Sequence, residues 1–86
     1  MPRKRDPFSS AHIPYYVKRI RDLREDHDLT QTQIADYLHV SQRVYSNYEL
    51  GNVRIPLELV IRLAKYYNVD MNYICGLTRE REKFPE

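Results

Sequence analysis

The chain has one cysteine, Cys75, in 86 residues. A single thiol closes no intramolecular disulfide and completes neither a CxxC pair nor a Cys/His zinc set, so no metal is expected and the usage fits a reducing cytoplasm. The sequence also lacks any apolar run approaching the ~18 residues of a membrane-spanning helix, and it has no signal-peptide core, so it is expected neither to cross a membrane nor to be secreted. Catalytic groupings are missing too. His12, His27 and His39 stand apart from any Ser, Cys or paired-carboxylate arrangement, which argues against an enzyme. Charge of one sign is scarce: the formal net charge is +2, so a nucleic-acid binder of this balance must gather its positive charge on one face.

What is present is the composition of one small soluble domain, 42% hydrophobic and 30% charged, with room for a single modest core and none for a separate sensor or catalytic domain. Residues 1–13 carry Arg3, Lys4 and Arg5 among Pro2, Pro7, Ser9 and Ser10 without apolar period. They read as a basic arm, either touching phosphates nonspecifically or simply solvated. Residues 14–77 read as the folded domain, and residues 78–86 as a short, charged, solvated tail. From Tyr15 to His27, Tyr16, Val17, Ile20 and Leu23 recur at helical spacing behind Pro14, with Lys18, Arg19, Arg21 and Asp22 on the solvated side.

The stretch TQTQIADYLHVSQRVYSNYELG, residues 30–51, has the layout of two short helices around a tight corner. Thr30 and Gln33 are spaced for a capping box, and Ile34, Ala35 and Leu38 make the buried side of the helix they open. After His39, Val40 plugs the corner and Ser41 caps the next helix. There Tyr45 and Tyr48 face inward, leaving Gln42, Arg43, Ser46 and Asn47 outward near the helix N-terminus. Gln and Asn can pair with the adenine edge and Arg with guanine N7 and O6, so this face matches the major-groove code; a hydrated surface is the bland alternative. Further on, Leu57, Val60, Ile61 and Ala64 are expected to form the buried stripe of a helix after Pro56. Asp70 is placed to cap a last helix, Met71 to Cys75, ended by Gly76. Tyr66, Tyr67, Met71, Tyr73 and Ile74 are more apolar than one small core needs; aromatics at helical spacing are more often core, and the alternative is that some form a patch that pairs with a second copy. Cys75 is expected to be buried or half-buried.

These pieces resemble, in order and spacing, the Cro/C1-type (Xre-like) helix-turn-helix domains of phage and bacterial transcription regulators. The resemblance runs from about Tyr16 to Gly76 through IRDLREDHDLTQTQIADYL, VSQRVYSNYELG and RIPLELVIRLAKYYNVDMNYICGL. It implies an all-α, lambda-repressor-like bundle of five helices whose third reads bases, acting as a dimer on a palindromic operator. Carried over by position, Gln42, Arg43, Val44, Ser46 and Asn47 resemble the base-reading set, with Val44 placed for a thymine methyl. Gln31 resembles the phosphate anchor at a helix N-terminus, assisted by Thr30 and Ser41, and Asn52 and Arg54 resemble the loop lying on the backbone. Arg24 and Glu49 resemble a structural ion pair that seats the recognition helix.

Two departures stand out. His39 occupies the turn position usually held by Gly, and histidine tolerates positive φ; a pH-responsive role near DNA is the functional alternative. Tyr45 and Tyr48 are expected in the core, though a phenol at a helix rim can reach a phosphate. The expected function is sequence-specific binding of double-stranded DNA to regulate transcription, most simply as a cytoplasmic repressor dimer with no cofactor, small-molecule ligand or membrane partner. An antitoxin-like module that binds a toxin as well as DNA is the second reading.

Overall fold

In the computed structural model, which describes residues 14–85, the chain folds into α1 (Tyr15–Asp26), α2 (Gln31–Leu38), α3 (Gln42–Leu50), α4 (Leu57–Tyr67) and α5 (Met71–Ile74), with no strand among the described residues. Residues 1–13, read above as a basic arm, lie outside that range. Pro14 precedes α1 as its N-cap, and Val17, Ile20 and Leu23 follow at helical spacing into the core. Thr30 accepts from the Gln33 amide at 3.1 Å while the Gln33 side chain takes the Thr30 amide at 2.8 Å, so the expected capping box opens α2. Ile34, Ala35 and Leu38 are buried as expected, and Val40 packs beneath the corner. Ser41 caps α3 by accepting from the Val44 amide at 3.1 Å. His39 takes the left-handed conformation at φ 61°, so the turn that usually holds glycine is made here by a residue type that tolerates it. Tyr45, Leu23, Ile34, Leu63 and Ile74 lie at the centre of the core.

Several expectations are corrected. Arg19, assigned to the solvated side of α1, is 7% exposed. It donates to the carbonyls of Tyr73 and Thr78 at 2.7 and 3.1 Å and to the Tyr15 hydroxyl at 2.9 Å, with its guanidinium over the rings of Tyr15 and Tyr73. A cation can be buried there because three oxygen acceptors meet its terminal nitrogens and two π faces lie against it. In α4 the buried stripe is Val60, Leu63, Ala64 and Tyr67; Leu57 is exposed and Ile61 only half-buried. Of the five residues expected to exceed the core, Tyr67, Tyr73 and Ile74 are buried and Tyr66 is exposed; the other large exposed apolar side chains among the described residues are Tyr15, Val44, Leu50, Val53, Leu57 and Leu77. Cys75 is exposed, because α5 stops at Ile74 and turns its following residue outward.

The tail is not a free charged end. The Asp70 amide donates to the Glu82 carbonyl at 2.8 Å, and the Phe84 amide to Asn68 Oδ1 at 3.2 Å. Arg81 bridges the Tyr73 hydroxyl and Asp26, and Phe84 packs on the core beneath Lys65. Alternating charges hid this docking from the sequence. Its anchors include an aromatic ring and backbone groups, which carry no charge pattern, and the acid that Arg81 meets lies 55 residues away in the chain.

Candidate nucleic-acid interface

At about 100° per residue, the three buried side chains of α3, Tyr45, Tyr48 and Glu49, share one side, and Arg43 and Asn47 fall opposite them. Gln42, Arg43 and Val44 are exposed on the first turn, and Ser46 and Asn47 are half-exposed behind them. Arg43 and Asn47 thus face away from the core with Val44 and Ser46 flanking them, while Gln42 lies on the stripe of Glu49 and is exposed because it is on the first turn. The N-terminus of α3 adds unpaired amides and a partial positive charge to the same end.

What holds α3 is a buried carboxylate. Glu49 is 6% exposed and receives Arg24 Nε at 2.7 Å, Arg24 Nη2 at 3.1 Å, the Tyr45 hydroxyl, and Gln31 Nε2 at 3.1 Å. Arg24 also donates to the Leu29 carbonyl at 2.7 Å, which ties the corner before α2 into the same group. Burial alone would push the Glu49 carboxyl up, but the bonds from Arg24, Tyr45 and Gln31 outweigh it and hold the group below its ordinary value. The Arg24 guanidinium is pushed up, chiefly by its bond to Glu49. The two residues expected to pair do so, and their joint burial makes removal of either one costly.

Gln31 does more than sit at the N-terminus of α2. Its Nε2 serves Glu49, and its Oε1 accepts from Gln42 Nε2 at 2.7 Å. The expected phosphate anchor and the first expected base reader are thus joined side chain to side chain. Across α3, Asn52 Nδ2 donates to Asn47 Oδ1 at 3.2 Å, linking a reader to the loop that follows. Thr30 and Ser41 are exposed, with their hydroxyls committed to the two caps, and Asn52 and Arg54 are exposed in the loop after α3. Arg54 also borders a cleft with Tyr16, Leu57, Met71 and Cys75. The Tyr45 bond to Glu49 had a signal in the sequence, an aromatic hydroxyl four residues before an acid on one helix. The Gln31–Gln42 bond, between residues eleven apart on two helices, had none.

Among the described residues no group of His, Cys, Asp and Glu side chains could hold a metal ion, and no helix is long and apolar enough to cross a membrane. A helix-turn-helix family model matches residues 20–74. The chain is similar to the HTH-type transcriptional regulator YobD of Bacillus subtilis, 38% identical over 63 residues, covering 73% of this chain and 56% of that protein. It is 41% identical over 54 residues to the cryptic phage CTXphi transcriptional repressor RstR of Vibrio cholerae, covering 63% and 49% respectively. With the antitoxin PezA of Streptococcus pneumoniae it shares 36% over 59 residues, 69% of this chain and 37% of the other. The chain therefore spans about half the length, or less, of these relatives. No solved structure matches it significantly.

Proposed function

Because the chain belongs to the Cro/C1-type helix-turn-helix family of DNA-binding transcription regulators, we propose that α3 enters the major groove of an operator, and that the protein represses transcription by occupying it in the cytoplasm. The carrying observation is the exposed first turn of α3, with Gln42, Arg43 and Val44 held outward by the buried Glu49 cluster behind it. Ser46 and Asn47 extend the reading face. Gln31, Thr30 and Ser41 at two helix N-termini, with Asn52 and Arg54 in the following loop, lie on the phosphate backbone and set the register.

One copy of so short a reading helix covers only a few base pairs. Two copies related by a two-fold axis, in successive major grooves about 34 Å apart, supply the specificity an operator needs, and a palindromic site follows. In vitro selection from a random duplex pool tests the whole reading. The expected product is an inverted repeat with half-sites about one helical turn apart; a lone half-site removes the dimer, and no enrichment removes the function. The likeness to PezA supports a second reading, in which this domain also binds a toxin. A small protein co-purifying at fixed stoichiometry, and needed for tight operator binding, would favour that reading.

A further inference from the structure

The bonds around Glu49 have a direction. An ionised carboxylate can only accept, so Gln31 must turn its Nε2 toward Glu49, where the 3.1 Å bond is found. The Gln31 amide is then fixed end for end, and its Oε1, an acceptor, faces Gln42. Gln42 must answer with its own Nε2, as it does at 2.7 Å. Reversing either amide would set oxygen against oxygen at one joint of the chain. Arg24 and the Tyr45 hydroxyl are donors as well, so nothing else on Glu49 can relax the constraint.

With one Nε2 hydrogen engaged, Gln42 is left with one donor and its Oε1 acceptor. That is the complement of adenine, which offers N7 as acceptor and N6 as donor. An inverted Gln42 would have its oxygen engaged and both hydrogens outward, the complement of the two guanine acceptors N7 and O6. We infer that Glu49, through Gln31, sets the donor–acceptor polarity of Gln42 and so makes it read adenine in preference to guanine. The inference rests on the DNA-reading role proposed above. Glu49 is a positioning residue in this scheme and touches no base.

The test uses the full chain and the duplex returned by selection. Loss of preference at one base pair in Gln42→Ala identifies the position Gln42 reads, and duplexes with adenine or guanine there are then titrated. Wild type is expected to prefer adenine about tenfold or more. Gln31→Met cuts the relay on the partly exposed first turn of α2 and leaves the core intact, and the ratio should fall toward one. Glu49→Gln replaces an obligate acceptor with an amide that can turn either its oxygen or its nitrogen to Gln31, so both polarities of the glutamine pair become available and the adenine-to-guanine ratio should fall. Should that variant fail to fold by circular dichroism, Gln31→Met decides. An adenine preference unmoved in folded Gln31→Met, or a wild type that prefers guanine, overturns the polarity assignment while leaving the DNA-reading role standing. A wild type that selects no duplex overturns both.

Discussion

Tyr45 and Tyr67 are both buried, and they differ in what their hydroxyls meet. That of Tyr45 donates to Glu49, whereas Tyr67 Oη is buried with no hydrogen-bond partner. A bond to a charged group contributes about 1.5 to 3 kcal/mol, and an unsatisfied buried group costs about 1 to 3. Tyr45→Phe should therefore lower stability in urea unfolding, while Tyr67→Phe leaves it unchanged or raises it; equal losses would mean that Tyr67 has a partner. Glu49 adds a dependence on pH. Its folded-state pKa lies below the ordinary value, so the unfolded chain binds more protons in acid and stability rises with pH there. The contribution is complete above about pH 4.5 and is lost as pH falls through the depressed folded pKa. The stability gap between wild type and Glu49→Gln should stay constant at neutral pH and narrow as pH falls below about 5; a gap independent of pH refutes this. On the DNA side, Arg43→Ala is expected to lose about 1 to 3 kcal/mol, concentrated at one base pair. Arg54→Ala should weaken all sequences alike and reduce the salt slope by about one. Equal losses on selected and random duplexes in both variants would reassign the two arginines.

The helices end in one way. Asp28, His39, Gly51, Asn68 and Gly76 all have positive φ, and the amide after each bonds back to the carbonyl five residues earlier, as in Leu29 to Arg24, Val40 to Ala35 and Val69 to Ala64. Three of the five are not glycine, but Asp, His and Asn are the types that tolerate the left-handed region. A β-branched residue does not: His39→Val should cost about 1 to 3 kcal/mol, with His39→Gly at least as stable as wild type. Thermal midpoints of the pair measure it, and a Val variant as stable as wild type would show that the corner bends some other way. Elements of this kind were legible in the sequence where the signal is local chemistry at fixed spacing: the Thr30–Gln33 box, the Ser41 cap, and the endings at His39, Gly51 and Gly76. The inner and outer sides of α3 were legible too, because Tyr45 and Tyr48 contrast with Gln42, Arg43 and Asn47. In α4 Val60 and Ala64 are buried as expected, and the stripe continues through Leu63 and Tyr67 in place of Leu57 and Ile61. Leu57, Ile61 and Leu63 are equally apolar, and only the packing partners decide which of them is covered. Arg19 and Gln31 were beyond reach for the same reason, since what fixes them lies 54 and 18 residues away in the chain.

Across the whole molecule, Arg19 joins parts that local signals cannot connect. One guanidinium binds the carbonyls of Tyr73 in α5 and Thr78 at the start of the tail, and lies between the rings of Tyr15 and Tyr73. Gly76 lies against the same place: a Cβ there would overlap the Tyr15 ring, so the chain can pass this close only without a side chain. Beyond it the tail returns to cover the junction of α4 and α5, ending with Phe84 on the core. The first helix and the last described residues thus hold each other, and α2 and α3 are carried between them. Arg19→Ala removes three hydrogen bonds and two ring contacts from a buried site, a loss on the order of 2 to 4 kcal/mol. Arg19→Lys should recover less than half, because one ammonium cannot reach three acceptors that a planar fork serves from its two terminal nitrogens. Hydrogen exchange distinguishes release of the tail from general weakening. The Asp70 amide, bonded to Glu82, should lose protection in Arg19→Ala, whereas the Tyr45 amide inside α3 keeps most of its own. If Asp70 stays protected while stability falls, Arg81 and Phe84 hold the tail without Arg19, and the coupling between the two ends is weaker than the bonding pattern implies.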